Sequence, residues 1–474
     1  MWTREIPFID PVAAATRLRA LPGLAFLDSA MRHDPLGRHS IVAADPFARF
    51  RYRDGRATLD GNPVAGGPMA ALRACLEPYR LEPGSEPFPG GAIGYLAYDL
   101  GAALERVAAP ARRAGLTDDI ALNLYDTALV VDHAAGTGRL VATGFPETAD
   151  QRAGRRAERG RGRQAGDHHR RARAEARLAR FADLLGGAEP PVPAPAGPAQ
   201  PLVWRSNFDR QSYEEAVEKV RAYIRAGDIY QANIAQRFVA DLPAGFDPFA
   251  LYRRLRETNP ATFGAYLELE GLTVASSSPE RFVRLDGRHV ETRPIKGTAR
   301  RLDDPAADRA AAEALQASVK ERAENVMIVD LLRNDLSRVC APGSVAVPTL
   351  CGLETYANVH HLVSVVTGDL RDGLDALDLL EGTFPGGSIT GAPKIRAMDI
   401  ITEIEGDARE LYCGAIGRIG FDGALDTSIA IRTVFMDDRQ AVLQAGGGVT
   451  LLSEPGPEYD ETLAKAARVF EAFA

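Results

Sequence analysis

The chain has 474 residues, of which 45% are hydrophobic and 25% charged, with a formal net charge of −8. That balance suits a globular protein with a substantial core and argues against nucleic-acid binding over the whole surface. Cys75, Cys340, Cys351 and Cys413 form no CxxC pair, and neither a signal core nor the ~20-residue apolar run of a membrane helix is evident, so a cytoplasmic setting with reduced thiols is expected.

Residues 1–145 read as a strand-rich subdomain. Leu24–Ser29, Ser40–Ala44, Ala48–Tyr52 and Ala121–Asp132 are β-type runs between Asp-Gly and Pro-Gly turns. Gly90–Gly101 (GGAIGYLAYDLG) lacks GxGxxG spacing and suggests close-packed backbone, not a nucleotide loop. Residues 146–204 read as a linker with a helix. Arg152, Arg155, Arg156, Arg159, Arg161 and Arg163 lead through His168-His169 to Arg170, Arg171 and Arg173. Clustered arginines attract phosphates, so an RNA-binding or regulatory protein is the alternative of a different class. No aromatics are interleaved for base stacking, and Leu178, Phe181 and Leu184-Leu185 instead make an amphipathic helix. Glu189–Pro201 follows as a stiff spacer.

Residues 205–474 mix both periodicities. Asp209–Ala226 reads as a helix stopped by Gly227, and Gly227–Phe238 (GDIYQANIAQRF) as a turn into a strand. Phe282–Leu285 and His289–Thr292 flank Asp286-Gly287 as a hairpin that brings Glu280 and Lys296 to one end, either as an ordinary surface pair or as an acid and an amine facing a ligand. A long helix is expected to follow, through Val339. Glu321 and Glu324 share one face of it, and Glu458 and Glu461 repeat the spacing at the start of a C-terminal helix, with Lys465 one turn on. Such pairs are either solvated acidic faces and helix-dipole partners or the carboxylates of a magnesium site. Phe384–Glu405 is a glycine-rich loop entering a helix at Pro393, without P-loop spacing. Tyr412–Phe435 reads as a second hairpin turning at Asp422-Gly423, with Arg432 opposite the face of Leu425, Thr427, Ile429, Ile431 and Thr433. Gly446-Gly447-Gly448 leaves room for a ligand on the next strand.

SSSPERF (Ser276–Phe282), RPIKGTAR (Arg293–Arg300), KERAENVMIVDLLRND (Lys320–Asp335) and the Phe384–Glu405 loop resemble the chorismate-utilising enzyme family. The resemblance is most specific from Asn207 onward. Lys296 in PIKGT points to the aminodeoxychorismate synthase branch, whereas anthranilate and isochorismate synthases usually carry a small residue there. Periodicity supports only a mixture of α and β. The resemblance implies an α+β fold in which two large antiparallel sheets form a core sandwich with surrounding helices. It also implies that Glu321, Glu324, Glu458 and Glu461 bind Mg²⁺. Ser388, Tyr412, Arg432, Gly447, Gly448 and Lys465 would contact chorismate, and Lys296, Glu280 and His361 would be catalytic. An LxxS-type segment can line an amino-acid pocket in the family, and Leu27-Asp28-Ser29 occupies that place. No GxCxGxQ elbow is present, so ammonia is expected from a separate glutamine amidotransferase subunit. Anthranilate or isochorismate synthase is the nearest competing activity.

Overall fold

The computed structural model describes residues 1–31, 36–147, 161–187, 202–356 and 359–473, with 161–167 as backbone alone. Two sheets, each of 12 strands among the described residues, carry the fold. The first runs from Trp2–Pro7 at one edge through Thr127–Asp132, Ala25–Asp28, Phe263–Leu269, Leu272–Ser278 and Thr433–Met436 to Gln440–Val449 and Gln231–Asp241. The second runs from Ile295–Arg300 and Val359–Asp369 through Arg281–Asp286, Leu425–Ile429, Ala415–Gly420 and Gly91–Leu96 to Asn62–Val64. Their pairings are antiparallel.

Strand alternation divides side chains between layers. On Thr127–Asp132, Ala128 and Val130 join a core with Ile93, Tyr95 and Ile416 of the other sheet, while Leu129 and Val131 join an outer core under helices. Helices Pro11–Leu18, Pro248–Thr258 and Pro455–Glu471 cover the first sheet, and Pro68–Leu76, Val319–Ser337 and Ala376–Thr383 cover the second. The expected sandwich with surrounding helices is therefore present. The sequence boundary at 146–204 does not divide the sheets: Ala25–Asp28 pairs with Phe263–Leu269, and Gly91–Leu96 with Ala415–Gly420.

Three elements differ from expectation. The Ala121–Asp132 run is two strands in different sheets, broken at Asp126. That carboxylate is fully buried and ion-paired to Arg177 at 3.1 Å and Arg173 at 3.4 Å. The long helix is two, Pro305–Ala317 and Val319–Ser337, because Ser318 ends the first and its hydroxyl caps the Glu321 N–H of the second. The second strand of the Tyr412–Phe435 hairpin stops at Ile429. Arg432 takes a positive φ of 51° and the chain re-enters the other sheet at Thr433.

Helix Asp209-capped Arg210–Ala226 ends at left-handed Gly227, as expected. The helix expected after the arginine run is Arg161–Gly186, with Leu178, Phe181 and Leu185 in the core. Arg152, Arg155, Arg156, Arg159 and the Glu189–Pro201 spacer lie outside the described residues.

Candidate active site

The Asp286-Gly287 hairpin forms with Arg284 opposite Glu291 and Asp286 opposite His289. His289–Thr292 and, past Pro294, Ile295–Arg300 both pair with Val359–Asp369, the latter with a register shift at Gly297. Gly297 has φ 80°, and a Cβ there would lie 3.0 Å from Glu321 Oε2. This close approach brings the metal-candidate helix against the lysine strand.

Glu280 and Lys296 meet at Ser388. Glu280 is buried, which raises its pKa; a hydrogen bond with the Ser388 side chain and the charge of Lys296 oppose the rise. Lys296 Nζ donates to the Ser388 carbonyl at 3.2 Å. Burial lowers the Lys296 pKa, while Glu280 and Glu324 pull it back up. Among the described residues no carboxylate lies within ion-pair distance of Lys296. Ser388 itself sits on a single turn, Gly387–Ile389, pressed so close to the neighbouring helix that a Cβ on Gly387 would lie 2.9 Å from Leu331.

His361 pairs across strands with Thr298, whose hydroxyl lies 2.9 Å from Nδ1. Burial, then the Arg432 charge, lowers its pKa to about 4, so the ring is neutral near pH 7. The Arg432 guanidinium is buried too, with its pKa lowered by desolvation and partly restored by Glu280. Tyr412 lies deeper: its hydroxyl bonds Cys413 and its ring lies 5.6 Å from the Arg409 guanidinium carbon.

The two Glu-x-x-Glu helices face each other across this group. Burial raises Glu324 and Glu458, and each feels the other helix. Glu324 Oε1 is buried without a hydrogen-bond partner among the described residues. Burial pushes Glu461 up as well, but Lys465, at 2.7 Å, carries the net shift down. Lys465 also donates to the Gly446 carbonyl at 2.8 Å. A Cβ on Gly447 would lie 3.1 Å from Glu458 Oε2, and one on Gly448 would collide with Gln231 Nε2 and lie 3.6 Å from Lys296 Nζ. The unpartnered Glu324 oxygen, the space at Gly447 and an all-carboxylate donor set fit a hard divalent cation. Among the described residues no three acidic side chains close up as a ready cluster, and Lys320 stands 4.0 Å from Glu324 Oε1.

The structure thus brings together Lys296, Glu280, Ser388, His361, Arg432 and both glutamate pairs. Leu27, Asp28 and Ser29 are elsewhere, lining a cavity of about 450 Å³ between the sheets. There Asp28 is bound by Arg256 at 2.6 Å and Tyr252 at 3.0 Å. Sequence reasoning missed Thr298, Lys320 and Gln231. Gln231 is 1% exposed with Oε1 unpartnered among the described residues, and its sequence signal is its place in GDIYQANIAQRF.

Residues 28–471 match the family described as chorismate binding enzyme. The chain is 40% identical over 456 residues to aminodeoxychorismate synthase component 1 of Salmonella typhimurium, covering 95% of this chain and 92% of that one. It is 37% identical over 470 residues to anthranilate synthase component 1 of Thermus thermophilus, covering 98% and 95%. The crystal structure of anthranilate synthase component I from Streptococcus pneumoniae superposes with a TM-score of 0.78 at 30% identity, covering 93% of each chain. With the family matched over nearly its whole length and the same fold in a solved relative, this chain belongs to the chorismate binding enzymes.

Proposed function

We propose that the protein is the large subunit of an aminodeoxychorismate synthase, turning chorismate and ammonia into 4-amino-4-deoxychorismate for p-aminobenzoate and folate synthesis. The observation that carries this reading is Lys296: a desolvated amine with a lowered pKa and, among the described residues, no carboxylate partner, set beside a carboxyl with a raised one. A neutral amine is a nucleophile and a protonated carboxyl is a general acid, so the two environments match the two tasks. Lys296 adds at C2 as the C4 hydroxyl departs with the Glu280 proton as water. Ammonia then adds at C4 and expels the lysine, and the proton shed by the incoming nitrogen returns to Glu280. Arg432 and Lys465 hold the substrate carboxylates. Glu321, Glu324, Glu458 and Glu461 would hold Mg²⁺, which supplies charge neutralisation for a substrate carboxylate.

The relatives' designation as component 1 supports a glutamine amidotransferase partner as the source of ammonia. Four buried free cysteines agree with a cytoplasmic setting. Among the described residues no helix is long and apolar enough to cross a membrane.

The test is incubation of the purified chain with chorismate, ammonium salt and Mg²⁺, with products identified by mass spectrometry. Aminodeoxychorismate is the expected product. Anthranilate with pyruvate would instead make this an anthranilate synthase, the activity named for the Thermus relative.

A further inference from the structure

Arg409, 1% exposed, leads the fully buried side chains in size among the described residues. Its guanidinium is held in a fork by Glu405, with Nε 3.0 Å from Oε2 and Nη2 2.7 Å from Oε1. The Tyr98 ring packs against it at 4.7 Å. A buried ion pair is weak evidence for stability, since apolar residues of similar volume often serve as well. What apolar residues could not do is hold two backbone carbonyls, and Arg409 holds those of Ile389 and Asn233.

Ile389 follows Ser388 directly. Its carbonyl takes Arg409 Nη1 at 3.1 Å and Asn233 Nδ2 at 3.1 Å, and the Asn233 N–H donates to Thr390 O at 2.8 Å. On the other side, Ser388 offers its carbonyl to Lys296 and its side chain to Glu280. From Phe384 to Pro393 the chain holds one short turn and a two-residue strand, so the placing of Ser388 depends on anchors outside the loop. We propose that Arg409 is a positioning residue for the reaction: by fixing the Ile389 carbonyl it sets Ser388 where it meets both Lys296 and Glu280. The kinetic arm of its test rests on the amination proposed above; the geometry does not.

Arg409→Lys keeps a charge opposite Glu405 but cannot span the same acceptors. In the full chain, with circular dichroism unchanged, kcat is expected to fall about tenfold to a hundredfold while KM for chorismate moves less than about threefold. In a Ser388→Ala background, which removes the Glu280 contact and keeps the carbonyl offered to Lys296, the same change should cost clearly less than in the wild-type background, because the two share the Glu280 contact. Without substrate, labelling of Lys296 by an amine-reactive reagent, followed across pH by mass spectrometry, should reach its midpoint at a different pH in Arg409→Lys. If wild-type enzyme fails to aminate chorismate but this midpoint moves, the proposed activity fails and the positioning role stands. Asn233→Ser removes the second donor to Ile389 and should show the same pattern more weakly, which keeps the test available if Arg409→Lys does not fold. A folded Arg409→Lys with wild-type kcat, a fully multiplicative cost in Ser388→Ala, or an unmoved labelling midpoint would each overturn the proposal.

Discussion

Lys296, half-buried, and Lys394, buried, lie beside the same glycine-rich loop, yet they are held in different ways. Lys394 Nζ lies 2.7 Å from Asp335 Oδ2 and 2.9 Å from the Thr383 carbonyl, tying the loop's helix to Val319–Ser337. Among the described residues Lys296 has the Ser388 carbonyl and no carboxylate, and its pKa is lowered. A buried carboxylate in contact stabilises an ammonium, whereas a lone carbonyl does not offset the cost of desolvating it. Burial alone therefore does not mark the lysine proposed as nucleophile; the counter-ion, missing for it among the described residues, does.

The largest expected effect comes from Lys296→Ala. It should lower kcat by about a thousandfold while changing chorismate binding far less, because the proposed Mg²⁺ and carboxylate contacts would remain. Steady-state kinetics with product analysis checks this, and aminodeoxychorismate made at the wild-type rate would reduce Lys296 to a structural cation. Lys394→Met should act on stability instead, costing about 3–5 kcal/mol by stranding Asp335, with Lys394→Met/Asp335→Leu recovering much of it. Denaturant melts read both, and an undisturbed single variant breaks the contrast.

A smaller effect concerns Lys296 alone and is read by pH. The folded state binds the Lys296 proton less tightly than the unfolded chain does. Its penalty is full below the depressed folded pKa and fades as pH rises toward the ordinary lysine value. Lys296→Met should therefore stabilise the fold at neutral pH and flatten the rise of stability in that window, as thermal melts at several pH values would reveal. Glu280 is the largest charge holding the Lys296 pKa up, so Glu280→Gln should lower the pH midpoint of Lys296 labelling. An upward move would mean that the two do not share a field. Deleting 152–163, which carries neither lysine, should change kcat less than about tenfold, or about 1.4 kcal/mol in the barrier.

Local chemistry was the legible part. Asp286-Gly287 dictates its turn, and Gly227 its helix end, because each needs only its own φ. The sheet crossing at Arg432 was hidden because Leu425–Phe435 keeps one strand period on both sides of it, although Ile429 and Thr433 belong to different sheets. The break at Asp126 depends on Arg177, far along the chain, so no local signal announces it. Ser318 is different: Ser followed three residues later by Glu321 is a capping-box pattern, so this helix break does have a local signal. Within the site, Lys296 and Glu280 were visible from the hairpin. Arg409 was not, because only the fold brings the Ile389 carbonyl to it.

The interleaving of the sheets also sets a timetable for synthesis. Leu96 finds its partner in Ala415, and Phe26 in Tyr266. At roughly 5–20 residues per second, the Gly91–Leu96 strand waits roughly 15–65 s after leaving the ribosome before its partner exists. Throughout that interval an apolar strand, buried at every position in the finished protein, has an unfilled edge. Yield in a host should therefore depend on whatever shields nascent chains more than on the stability of the completed enzyme.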